Sequence, residues 1–107
     1  MSGPLEKAIE IIIRVADPDR IILFGSRSRG DYKKESDYDL CIIKKGVEHR
    51  RRLAQQIYRY LYGIGASVDV IVETPERFEE LKDNLFMVYK KIAMDGKVIY
   101  DKPDFSC

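Results

Sequence analysis

The chain has 107 residues, room for one domain with a single hydrophobic core. Its 19 basic and 18 acidic side chains leave a net charge of +1, which excludes the strong basic excess of a general nucleic-acid binder but allows a local phosphate site. The two cysteines, Cys41 and Cys107, make neither a disulfide framework nor a metal cluster. No run is apolar for long enough to span a bilayer, and the N-terminus has no signal-peptide pattern. The expectation is a cytoplasmic protein with no membrane contact and no direct nucleic-acid binding.

Pro4 suits a first helical turn, and Leu5, Ala8, Ile9, Ile12 and Ile13 recur at the helical period, so residues 4–15 are predicted as an amphipathic helix. Asp17-Pro18-Asp19 ends it. Residues 20–24 (RIILF) form a short apolar run closed by Gly25, the pattern of a buried strand. Residues 26–30 can make a short helix and 31–36 a polar loop. A second strand is predicted over 37–44. Alternation puts Asp37 and Asp39 on one of its faces and Tyr38, Leu40 and Ile42 on the other. Residues 47–62 read as a helix whose apolar side carries Leu53, Ala54, Ile57 and Leu61, ended by Gly63 and Gly65. Residues 67–73 (SVDVIVE) make a third strand. Thr74-Pro75 is a helix start, with Phe78 and Leu81 facing inward. A further helix is predicted over 84–94 and a last strand over 97–100. Alternating helices and strands imply an α/β (α+β) domain spanning 1–107, a small mixed β-sheet with helices packed mainly on one face.

The chemistry concentrates between residues 21 and 40. Glycine lets a backbone approach a phosphate without a Cβ in the way, and Ser26 adds a hydroxyl and an N–H where a helix would begin. Arg27 and Arg29 follow, placed to neutralise phosphate, with Arg29 the stronger candidate. Asp37 and Asp39 stand two residues apart on one face, a repulsive arrangement that a divalent cation relieves. Hard oxygen ligands without a His/Cys cluster favour Mg²⁺ or Mn²⁺ over zinc. Asp69 sits among valines, where an acid is expected to need a partner. If the third strand lies beside the second, Asp69 reaches the same spot, and three carboxylates can hold two ions about 3.5–4 Å apart for phosphoryl transfer, with Asp69 placed to take a proton. Singly, Gly-Ser is a commonplace turn and Asp-x-Asp a strand-opening cap; the combination carries the signal. His49, in EHRRR, is expected to be an exposed surface residue.

Gly25-Ser26, ten intervening residues and then Asp37-Tyr38-Asp39 resemble the signature of the polymerase-β-like nucleotidyltransferase superfamily. The runs Gly-Ser-Arg-Ser-Arg-Gly and Ser-Asp-Tyr-Asp-Leu and the later Val-Asp-Val are similar to those of its minimal nucleotidyltransferases (MNT proteins) across nearly the whole chain. The resemblance implies that Gly25 and Ser26 hold the triphosphate of ATP or another NTP. It implies that Asp37 and Asp39 bind both catalytic Mg²⁺ ions and that Asp69 completes the triad as base. It further implies an antitoxin that moves AMP from ATP to a tyrosine of a HEPN protein, an all-helical toxin with RNase activity. A chain of this length has no room for a substrate domain, so the acceptor is expected on another polypeptide or on a second copy in a homo-oligomer. Two alternatives stand beside this: an antitoxin that neutralises its partner by binding alone, and the catalytic subunit of an antibiotic-modifying or nucleic-acid-extending nucleotidyltransferase.

Overall fold

Pro4 opens helix α1 (Pro4–Ala16) at its first turn, and Ala8, Ile12 and Ala16 are its buried positions. The computed structural model describes residues 3–25, 38–65, 67–84 and 88–103. Helix α1 ends at Asp17, a non-glycine residue in the left-handed region (φ 45), whose N–H donates to the Ile13 carbonyl at 3.0 Å. Lys102 Nζ lies 3.0 Å from Asp17 Oδ1, and Lys44 Nζ donates to the Asp17 carbonyl at 3.0 Å, so the turn is held from two sides.

Four strands follow as one sheet: β1 (Arg20–Phe24), β2 (Tyr38–Ile43), β3 (Val68–Glu73) and β4 (Lys97–Asp101), in the spatial order β3-β2-β1-β4. β1 pairs antiparallel with both β2 and β4, whereas β2 and β3 run parallel. A parallel pair needs a crossover, and helix α2 (Arg50–Leu61) supplies it. This helix starts three residues later than its periodicity suggests. Gly46 takes φ 74, the chain turns there, and Val47 packs against the core from outside the helix. Helix α3 (Pro75–Leu81) begins as expected, with Thr74 Oγ1 accepting the Arg77 N–H at 3.3 Å. Helix α4 (Val88–Asp95) leads into β4 through Gly96, where a Cβ would clash with the Ile92 carbonyl and with Ile22 Cγ2.

Strand alternation divides the core in two. Ile21, Leu23, Leu40, Ile42, Val68, Val70 and Val72 face the two long helices, α1 and α2, and bury Ile12 and Ile57 with them. Ile22, Phe24, Cys41 and Ile43 face the short helices α3 and α4 and pack with Tyr89 and Ile92. Among the described residues, the long helices thus cover one face and the short ones part of the other. No described helix is long and apolar enough to cross a membrane.

Cys41 is fully buried, and burial, reinforced by the nearby Glu73 carboxylate, pushes its thiol up to about 12. A neutral, enclosed thiol should be inert. In a Cys107→Ser protein, the one remaining cysteine is expected to react with a disulfide reagent at the rate of unfolding, and promptly in denaturant; fast labelling of the folded protein would contradict this. Below pH 9 the thiol is neutral whether folded or unfolded and leaves stability unchanged; as pH rises from 9 towards about 12 only the unfolded chain ionises, and stability falls.

Candidate active site

Among the described residues, the covering of that second face does not reach the start of β3. Asp69, Ile71 and Glu73 alternate onto it from β3. Ile71 packs under the short helices and Glu73 is completely buried, but Asp69 is exposed. The apolar surroundings expected for Asp69 are therefore absent: its valine neighbours, Val68 and Val70, point through the sheet into the other core. The acid needs no buried partner, because it is open to solvent.

In the parallel β2–β3 ladder Asp39 and Asp69 are direct register partners. Partners on neighbouring strands, about 4.8 Å apart, point to the same face. The sheet thus brings together two carboxylates that lie thirty positions apart in the chain. On the other side of Asp39, β1 ends at its register partner Phe24, and Gly25 follows with φ +76. A Cβ on Gly25 would be driven into the Asp39 carboxylate, lying 3.2 Å from its Cγ. Glycine is needed here twice, for the left-handed turn and for the close approach. Gly25→Ala is expected to displace Asp39 and lower activity at least about tenfold, because misplacing a reacting group by an ångström costs more than that. Nucleotide-dependent turnover measured alongside the melting temperature would separate this loss from unfolding.

Ser26, Arg29 and Asp37 lie outside the described residues, as do the short helix and loop expected over 26–36. Among the described residues no three acidic, histidine or cysteine side chains cluster as metal ligands. Asp39 and Asp69 nonetheless fit a hard divalent cation in their chemistry: both are carboxylates, both are on one face, and a cradle without a Cβ lies beside them.

Glu73, a residue whose role is not evident from the sequence, anchors the far end of β3. Its Oε2 accepts from Arg50 Nη1 at 2.6 Å and from Tyr89 Oη at 2.7 Å, and its Oε1 accepts the Thr74 N–H at 3.0 Å. Arg77 Nε stands 3.6 Å away. Three helices are tied to one carboxylate, and burial together with the bond to Glu73 drives the Tyr89 phenol well above its ordinary value. Tyr58 on α2 performs a similar service at the sheet edge, accepting the Val70 N–H at 2.7 Å. His49 is exposed at the start of α2, as expected.

The sequence model of the family described as "Nucleotidyltransferase domain" matches residues 5–99. The chain belongs to the nucleotidyltransferase family. It is 33% identical over 81 residues to MJ0604 of Methanocaldococcus jannaschii, a protein named for an inferred protein adenylyltransferase activity. That match covers 76% of this chain and 77% of the relative. A nucleotidyltransferase-like structure from Sulfolobus solfataricus superposes with a TM-score of 0.62 at 23% identity, over 97% of this chain and 92% of that one. A toxin–antitoxin structure with AMP-PNP superposes with a TM-score of 0.60 at 22% identity, over 91% of this chain and 73% of that one. The minimal nucleotidyltransferase expected from the motifs is thus borne out, as are the enzyme class and the mixed-sheet fold.

Proposed function

We propose that this nucleotidyltransferase moves AMP from ATP onto a tyrosine hydroxyl of a partner protein, a HEPN-type toxin, and so acts as an antitoxin. The observation that carries the reading is the Asp39–Asp69 register pair set against the left-handed turn at Gly25. Support for a protein acceptor comes from the inferred activity of the M. jannaschii relative, and support for a toxin from the toxin–antitoxin assembly among the structural neighbours.

Asp39 and Asp69, joined by Asp37, are the residues that would hold divalent ions, two Mg²⁺ in this proposal. Bound there, such ions neutralise the triphosphate and ease deprotonation of the acceptor hydroxyl. Gly25 and Ser26 would seat the phosphates against backbone N–H groups, with Arg29 adding positive charge. The acceptor oxygen attacks the α-phosphorus in line, a phosphodiester bond to the acceptor forms, and the bond to pyrophosphate breaks. The hydroxyl proton passes to the Asp69 carboxylate, whose exposure leaves it within reach of an incoming acceptor.

The decisive experiment incubates the protein with each NTP, Mg²⁺ and a HEPN-type partner protein, and reads intact masses. A gain of one or more AMP units on the partner, abolished by a tyrosine-to-phenylalanine change there, is the expected result. Neutralisation of the partner with no mass change would replace chemistry by simple covering, and modification of an antibiotic or of RNA would reassign the acceptor.

A further inference from the structure

A groove of about 800 Å³ runs beside β3, between that strand and the start of α2. Its floor includes Ile71 and Tyr89, and its wall carries His49, Arg51, Arg52 and Gln55. Arg50 also borders it but is committed to Glu73. Arg51 and Arg52 are exposed and make no ion pair among the described residues, leaving two uncompensated guanidinium groups over an apolar floor. Val70 lines the groove too, and it is the chain neighbour of Asp69. Asp69 and Ile71 lie on the same face of β3, about 6.6 Å apart along the strand. A segment lying over Ile71 therefore passes one strand step from the acid to which the proton would go.

We propose that this groove docks an acidic, tyrosine-bearing segment of the acceptor protein, with Arg51 and Arg52 selecting its acidic side chains. The assignment rests on the transfer reaction proposed above. Charge complementarity selects this occupant. Two free guanidinium groups suit a short acidic peptide, and the apolar floor suits an aromatic ring beside it. A nucleic-acid strand is the poorer fit, because its affinity comes from neutralising many phosphates in a row, whereas two arginines suit a short segment with one or two acidic side chains.

The test uses the full chain, its Arg51→Glu/Arg52→Glu variant and an Asp39→Asn variant. Fluorescent random copolymers of glutamate with tyrosine and of lysine with tyrosine serve as probes, together with a uridylate oligonucleotide, at low salt. Binding is read by anisotropy and AMP incorporation by labelled ATP. The parent and Asp39→Asn are expected to bind the acidic copolymer equally. The double reversal should weaken that binding at least about tenfold and bring on binding of the basic copolymer, with an unchanged melting temperature. Failure of the parent to bind the acidic copolymer, binding insensitive to the reversal, or tighter binding of the oligonucleotide through the same arginines would each overturn the proposal. Arginine-dependent binding with no AMP incorporated by the parent would remove the transfer reading and leave the groove an acidic-peptide site.

Discussion

Asp39→Asn is expected to cut nucleotide transfer by about 10²–10³-fold, the usual loss when a group that stabilises transition-state charge is removed. The change is nearly isosteric, so the carbonyl oxygen can keep its place beside Gly25 while the charge disappears. What is lost is half of the Asp39–Asp69 register pair, the pair that would hold the cation in the proposed reaction. The fold should survive. Neutralising one of two like charges relieves a repulsion of about 1 kcal/mol in water, so the metal-free melting temperature is expected to stay within a few degrees of the parent. The measurement is paired: steady-state transfer, and the rise in melting temperature on adding Mg²⁺ and ATP. At ligand a hundredfold above its dissociation constant the parent should gain about 2.7 kcal/mol, and the variant much less. Transfer at the parental rate would show that Asp39 is not in the site.

Glu73→Ala should have its large effect on stability instead. The carboxylate is completely buried and accepts from Arg50, Tyr89 and the Thr74 N–H. Removing it leaves the Tyr89 hydroxyl and a backbone N–H without their acceptor. Each charged hydrogen bond is worth about 1.5–3 kcal/mol, and the three share one acceptor and do not add fully, so a loss on the order of 3 kcal/mol is expected. Half-exposed Arg50 can turn to water, which limits the damage. For a domain of this size the melting temperature should fall by more than about 10 °C. Glu73→Gln, which keeps an oxygen for Tyr89 or Thr74, should lose less. A melting temperature within a degree or two of the parent for Glu73→Ala would mean that the three helices are held to β3 by packing alone.

The two substitutions probe opposite ends of β3. At its start Asp69 is exposed and Asp39 is partly exposed. At its end α2, α3 and α4 converge on a buried carboxylate. One strand thus presents Asp69 at a free end while Glu73 holds the other, which makes the position of Asp69 depend on a network two strand steps away.

Much was legible in the sequence because it is local. Helical periodicity located α1 and α2, the Thr74-Pro75 cap located α3, and apolar runs bounded by turns located β1, β2 and β3, all within a few residues. The motifs around Gly25, Asp39 and Asp69 resemble those of the nucleotidyltransferase family, and the family match over residues 5–99 bears that resemblance out. Register is not local. Only the tertiary structure decided that Asp39 pairs with Asp69, that the face around Asp69 stays open while the same face is closed over Glu73, and that Arg50, Tyr89 and Glu73 meet although they come from α2, α4 and β3. An acid in an apolar strand looks the same in sequence whether it faces water or is enclosed with an arginine and a phenol as partners. The difference is set by which helices pack over it, and that is a property of the assembled sheet.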